Sequence, residues 1–209
     1  MSRRLLFLPG AGADPAFWRP LGERLPDAWR KTYLGWPGLG GQPPRPGVEG
    51  LDGLVRLVEA EPGDEPVDLL AQSMGGLVAM LVALRHPSRI ARLVLSVTSA
   101  GVPVRDLGGA DWQADYRPQF PESAAWVRDV QVDLSAELPR IAAPTLLLWG
   151  DADPISPVAV GERLRDLLPN ARLEVLAGGD HDLVRTHADE AAALVEAHLL
   201  GASSVNPAT

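Results

Sequence analysis

Four short runs constrain this chain more than anything else in it. Leu5–Leu8, Val67–Leu70, Leu93–Val97 and Thr145–Trp149 are apolar almost without a break. A strand that shows one face to water alternates polar and apolar residues, so a continuous apolar run needs cover on both faces. Between the runs lie stretches with the spacing of a single helix face. The clearest is Leu51–Glu61, with apolar residues at 51, 54, 55 and 58. Phe17–Leu25, Met74–Arg85 (closed by Pro87), Val158–Leu168 and Ala188–Leu200 read as further helices, and Arg30–Leu34 and Arg172–Leu176 as further strands. This alternation predicts an α/β fold with about six mostly parallel strands and helices on both faces. The 209 residues suit a single domain spanning 1–200, and the small, polar stretch 201–209 is expected to fray. The rhythm breaks at about 100–140, a stretch rich in Gly, Pro and Asp that carries Trp112, Tyr116, Phe120 and Trp126, four of the 11 aromatic residues. It reads as a small cap inserted over the sheet.

Charge and cysteine content remove several functions. There are 27 acidic and 19 basic side chains, a formal charge of −8, and no dense basic run, which speaks against a nucleic-acid partner. Cysteine is absent, so disulfides, thiolate metal sites and a cysteine nucleophile are excluded. The apolar run near the N-terminus is too short for a signal-peptide core, and no stretch approaches the roughly 20 apolar residues of a membrane helix. The expectation is a cytoplasmic protein with no membrane partner.

The sharpest chemical signal is Ala71-Gln72-Ser73-Met74-Gly75, at the point where an apolar strand runs into a helix. This is the pattern of a nucleophile elbow, Gly-x-Ser-x-Gly, with Ala71 in place of the first glycine. So tight a turn leaves little room for side chains two positions before and after the serine. It thrusts the hydroxyl out at the sheet's C-terminal edge and aims a helix N-terminus at the same point. The competing reading is an ordinary serine N-cap.

A serine hydroxyl needs a base. His86, before Pro87, suits the end of a helix, and His187 and His198 read as surface residues of the last helical region. His181 lies in Gly178-Gly179-Asp180-His181-Asp182, a loop after a strand, where the loops of a parallel sheet converge. The base in turn needs an orienting carboxylate. Asp151 and Asp153 both follow Leu146-Leu147-Leu148-Trp149; Asp153, set by Pro154, is preferred and Asp151 is the reserve. The order Ser73, Asp153, His181 is the one expected of the elbow fold. Leu8-Pro9-Gly10-Ala11-Gly12, after the first strand, is small enough to approach the serine. The backbone N–H groups of Ala11 and Met74 are therefore the expected oxyanion donors. A dinucleotide loop would need a third glycine and an acidic residue about 20 positions on, and neither is present.

These residues resemble the α/β-hydrolase superfamily, and more narrowly its single-domain serine esterase branch, which includes pimeloyl-carrier methyl esterases, perhydrolases and ring-cleavage hydrolases. Pro9-Gly10 followed by Trp18 resembles the family's His-Gly…Trp opening. Trp36-Pro37-Gly38-Leu39-Gly40 is similar to its Asp-x-x-Gly-x-Gly loop, and Asp151-Ala152-Asp153 and Gly179-Asp180-His181 to its acid and histidine loops. The first strand here stands where the family's third would, and the cap is short beside the multi-helix lids of many relatives. The resemblance implies a carboxylesterase-type hydrolase that cleaves small or medium esters through an acyl-enzyme, with no metal or organic cofactor, acting as a monomer or small homo-oligomer on a small-molecule ester. The same residues also admit C–C bond hydrolysis, perhydrolysis or acyl transfer; a non-catalytic ligand-binding relative of the fold is disfavoured, because it would show a broken triad and here every member is present. A carboxylate nucleophile of the haloalkane type is contradicted by Ser73. Trp18, Trp112, Tyr116, Phe120 and Trp126 are the candidates to line a substrate pocket; for the four in the cap, the alternative is that they only seal the top of the sheet.

Overall fold

The computed structural model describes residues 3–61, 63 and 65–201. The frayed tail expected from 201 onward lies, past Gly201, outside the described residues. In chain order the elements are β1 (Arg4–Leu8), α1 (Arg19–Gly22), β2 (Arg30–Tyr33), α2 (Leu51–Glu59), β3 (Val67–Gln72), α3 (Met74–Arg85), β4 (Ile90–Ser96), α4 (Gln113–Gln119), β5 (Thr145–Gly150), α5 (Val158–Leu167), β6 (Ala171–Leu176), α6 (Leu183–Thr186) and α7 (Ala188–Leu200). The six strands form one sheet in the order β2-β1-β3-β4-β5-β6, and every neighbouring pair is parallel.

The apolar runs became the central strands for the reason their pattern gave: β3 and β5 are buried along their whole length. Asp68 is the polar break in β3. It is tolerated because the Arg3 guanidinium reaches it, with Nε 2.9 Å from Oδ2. The edge strands β2 and β6 carry the polar residues that a half-covered strand can hold. From β1 the chain crosses to β2 on one side, then returns to β3 on the other and proceeds outward to β6. The two directions part between β1 and β3, and a crevice opens beyond the C-terminal ends of strands at such a point.

Two expectations change. The helix predicted over Phe17–Leu25 is a single turn, Arg19–Gly22. It is preceded by tight turns in which Phe17 N–H bonds Asp14 O and Arg19 N–H bonds Ala16 O, and Pro20 supplies no N–H to lengthen it. His198 is not a surface residue: it is 5% exposed, on the face of α7 that also buries Ala191 and Val195, and its Nε2 lies 3.1 Å from Leu93 O.

Burial, followed by Arg172 and Arg92, lowers the His198 pKa to about 4, from 6.5 for a free imidazole. Between those values the unfolded chain binds the proton and the folded chain does not. Stability therefore falls as pH drops from 6.5 to 4 and levels off below, a loss of about 3 kcal/mol from this group. Urea midpoints measured from pH 7 to 4.5 should show a shallower fall for His198→Gln than for the parent; parallel curves would contradict the assignment.

Candidate active site

At the end of β3 the backbone turns sharply. Ser73 has φ 51° and ψ −124°, a conformation that costs a non-glycine residue about 1–3 kcal/mol. Three contacts hold it there. Ser73 N–H donates to Ser96 O at 3.1 Å, Gly76 N–H donates to Ser73 O at 2.9 Å, and the Thr98 hydroxyl donates to the same carbonyl. Gly75 must be glycine, because a Cβ there would stand 2.5 Å from Pro9 O and 2.6 Å from Leu8 O. The loop after β1 is thus pressed against the first turn of α3. At Gly10 a Cβ would stand 2.9 Å from the Ser73 Cβ. Ala71, two residues before the serine, is fully buried.

The loop after β5 brings Asp153 to His181. Its Oδ2 lies 2.8 Å from His181 Nδ1, and its Oδ1 accepts the N–H groups of Ile155 (2.8 Å) and Ser156 (3.2 Å). The Asp153 side chain is entirely buried and that of His181 is 23% exposed. Both carboxylate oxygens are therefore committed, and the imidazole that meets Oδ2 donates from Nδ1, leaving the Nε2 lone pair free to accept. Asp151 does something else: its Oδ1 accepts Gly178 N–H at 2.6 Å, tying the loops after β5 and β6 together at the surface. His181 is joined to the elbow through its backbone, where Gln72 Nε2 donates to His181 O at 3.1 Å. Among the described residues the Ser73 hydroxyl makes no hydrogen bond. Bonds of this type commonly tighten only when substrate is bound.

The loop after β1 is held from several sides. Trp18 Nε1 donates to Leu8 O (3.0 Å) and Trp36 Nε1 to Pro9 O (2.7 Å), while Ala13 N–H closes a turn onto Gly10 O (3.0 Å). Among the described residues, neither Ala11 N–H nor Met74 N–H is taken by another protein group. Met74 opens α3, so its N–H points out of a helix N-terminus.

The aromatic candidates separate. Trp18 does not line a pocket; it is 1% exposed, packed on Phe7 at 5.7 Å and Phe17 at 6.1 Å, because its N–H is needed on the Leu8 carbonyl. Tyr116 is also buried, and its hydroxyl is engaged with Ala11 O and Ser123 Oγ. It bridges Trp112 (ring centroids 5.2 Å apart) and Phe120 (5.0 Å), both of which remain half-buried, as does Trp126. The Trp126 Nε1 is buried and has no hydrogen-bond partner among the described residues.

Sequence reasoning gave no role to Gln72 or Thr98 and noted Trp36 only within a loop motif. All three are buried side chains that place polar groups on backbone atoms of the site. Among the described residues no group of three or more His, Asp or Glu is placed to hold a metal ion.

Comparison with known proteins points the same way as the geometry. The family model for the alpha/beta hydrolase fold matches residues 3–124 and 109–188. A pimeloyl-[acyl-carrier protein] methyl ester esterase of Neisseria meningitidis serogroup B / serotype 15 (strain H44/76) is 28% identical over 240 aligned residues, covering 92% of this chain and 91% of that protein. A 2-hydroxymuconate semialdehyde hydrolase of Pseudomonas sp. (strain CF600) is 30% identical over 174 residues, 63% of this chain and 61% of that protein. Among solved structures, a membrane phospholipase A matches with a TM-score of 0.80 and 26% identity, over 98% of this chain and 80% of that one. With a family match that runs through the sheet, the elbow and the histidine loop, the chain belongs to the alpha/beta hydrolase fold family.

Proposed function

We propose that this protein is a carboxylesterase-type serine hydrolase in which Ser73 is the nucleophile, His181 the base, Asp153 the acid that orients it, and the N–H groups of Ala11 and Met74 the oxyanion hole. The observation that carries this reading is the 2.8 Å contact between His181 Nδ1 and a fully buried Asp153, beside a serine held at positive φ. The chemistry follows from the positions. Ser73 Oγ attacks the ester carbonyl as His181 Nε2 takes its proton. Asp153 stabilises the imidazolium, and the two N–H groups hold the tetrahedral oxyanion. The imidazolium then protonates the leaving alcohol, and the acyl-enzyme is hydrolysed by a water that His181 activates in turn. The esterase similar to this chain over 92% of its length supports ester hydrolysis.

The same reading takes residues 1–200 as one domain with 100–140 as its cap. It places the enzyme in the cytoplasm, as a monomer or small homo-oligomer acting on a small-molecule ester without a metal or organic cofactor. No helix among the described residues is long and apolar enough to cross a membrane. A second reading, C–C bond hydrolysis by the same residues, has the support of the semialdehyde hydrolase that is 30% identical. Rapid-mixing kinetics separate them. On p-nitrophenyl butyrate we expect a burst of about one p-nitrophenol per enzyme, followed by a slower steady state, and a far lower kcat/KM on a vinylogous diketone. The reverse preference would favour the second reading, and no turnover of either compound would contradict both.

A further inference from the structure

The segment 100–140 reaches into the loop after β1 by one chain of hydrogen bonds whose direction is fully determined. Tyr116 OH lies 2.8 Å from Ala11 O, and a carbonyl has no proton, so the phenol donates. Gly40 N–H donates to Ser123 Oγ at 2.8 Å, so the serine's own proton is free. In the 2.9 Å contact between the two hydroxyls, Ser123 is therefore the donor and Tyr116 the acceptor. The chain runs Gly40 N–H to Ser123, Ser123 to Tyr116, Tyr116 to the Ala11 carbonyl. The Tyr116 ring cannot wander, being 7% exposed between Trp112 and Phe120. The loop that carries Gly40 is jammed against the same turn, since a Cβ on Gly40 would stand 1.8 Å from Gly12 O.

What this fixes can be read from the turn Gly10-Ala11-Gly12-Ala13, closed by Ala13 N–H on Gly10 O. That bond sets the peptide plane that carries Ala11 N–H. The next plane, from Ala11 C=O to Gly12 N–H, is the one by which the common turn types differ. Glycine in the third position admits either setting. The turn's own residues therefore do not choose its orientation, and the Tyr116 hydroxyl does. We propose that Tyr116 and Ser123 are positioning residues: by holding the Ala11 carbonyl they tether the whole Gly10–Ala13 turn to the cap, so that Ala11 N–H, oriented within the turn by the Ala13–Gly10 bond, keeps its place beside Ser73. The proposal rests on the assignment of Ala11 N–H as an oxyanion donor. It makes the cap part of the oxyanion hole's support as well as a cover for it.

The test is a mutant cycle on p-nitrophenyl butyrate, with melting temperatures beside it. Ala11→Pro deletes the donor N–H at a turn position where proline is favoured. It should cost about 10²–10³ in kcat, the usual cost of one lost donor. Tyr116→Phe keeps the ring and its packing. It should cost about tenfold in kcat, less than losing the donor outright, with KM changed less than twofold. Ser123→Ala should act in the same direction and more weakly. The decisive reading is the double variant. With the donor already gone, Tyr116→Phe should lose nothing further, whereas a merely structural tyrosine would cost the same factor in both backgrounds. Unchanged kcat in Tyr116→Phe, or an equal loss in both backgrounds, overturns the proposal and leaves the oxyanion assignment standing. Full activity in a folded Ala11→Pro overturns both.

Discussion

Ser73→Ala should abolish ester turnover, by at least about a thousandfold and on the scale of 10⁶ where serine, histidine and acid act as a unit, while the melting temperature stays within a few degrees of the parent. The separation of the two effects is a structural expectation. The Ser73 hydroxyl makes no hydrogen bond among the described residues, so no fold contact is lost with it. The contacts that hold the elbow are made by the Ser73 backbone, to Ser96 and Gly76, and by the Thr98 side chain. Alanine at φ 51° bears much the same strain as serine. Turnover measured on p-nitrophenyl butyrate, beside a melt of the same sample, checks both halves. Residual activity above about a thousandth of the parent would mean that another group attacks the ester.

The second large effect separates two aspartates that lie two residues apart. Asp153→Asn should lower kcat by about 10⁴, the scale seen when the orienting acid of such a triad becomes an amide and the imidazole adopts the wrong tautomer. An amide that turns its NH₂ toward His181 Nδ1 makes that nitrogen the acceptor and moves the proton to Nε2, where it blocks the base. Asp151→Asn should change kcat less than threefold. Its oxygen accepts Gly178 N–H, a bond the amide oxygen also makes, and its side chain does not reach the imidazole. A large loss from Asp151→Asn with little from Asp153→Asn would transfer the acid's role to Asp151 and leave the elbow untouched.

The central strands could be read from the sequence because the physics that makes them is local. An unbroken apolar run such as Leu146-Leu147-Leu148 has nowhere to go but between two layers. The sharp turn at Ser73 was legible for the same kind of reason, since so tight a turn leaves no room for large side chains at fixed offsets from it. The contact between Asp153 and His181 needed only the rule that loops at the C-terminal ends of parallel strands converge. The readings that failed depended on partners far along the chain. His198 was read as a surface residue of the last helical region, yet it shares the spacing of Ala191 and Val195 on α7, and that spacing was the available signal. Gln72 meets His181 across 109 residues, and Tyr116 meets Ala11 across 105. No local pattern announces such contacts. Trp18 was named as a pocket candidate, whereas it is 1% exposed and its indole N–H is bonded to the Leu8 carbonyl.

The central claim, that Ser73 is a nucleophile activated by His181 and Asp153, is tested most directly by covalent labelling. The folded protein is treated with a fluorophosphonate, its intact mass is measured and the adduct is mapped by peptide sequencing. The account predicts one adduct per chain, on Ser73, its formation slowed strongly by Asp153→Asn and abolished by Ser73→Ala. A folded, unlabelled parent protein, or an adduct on any other residue, would contradict it.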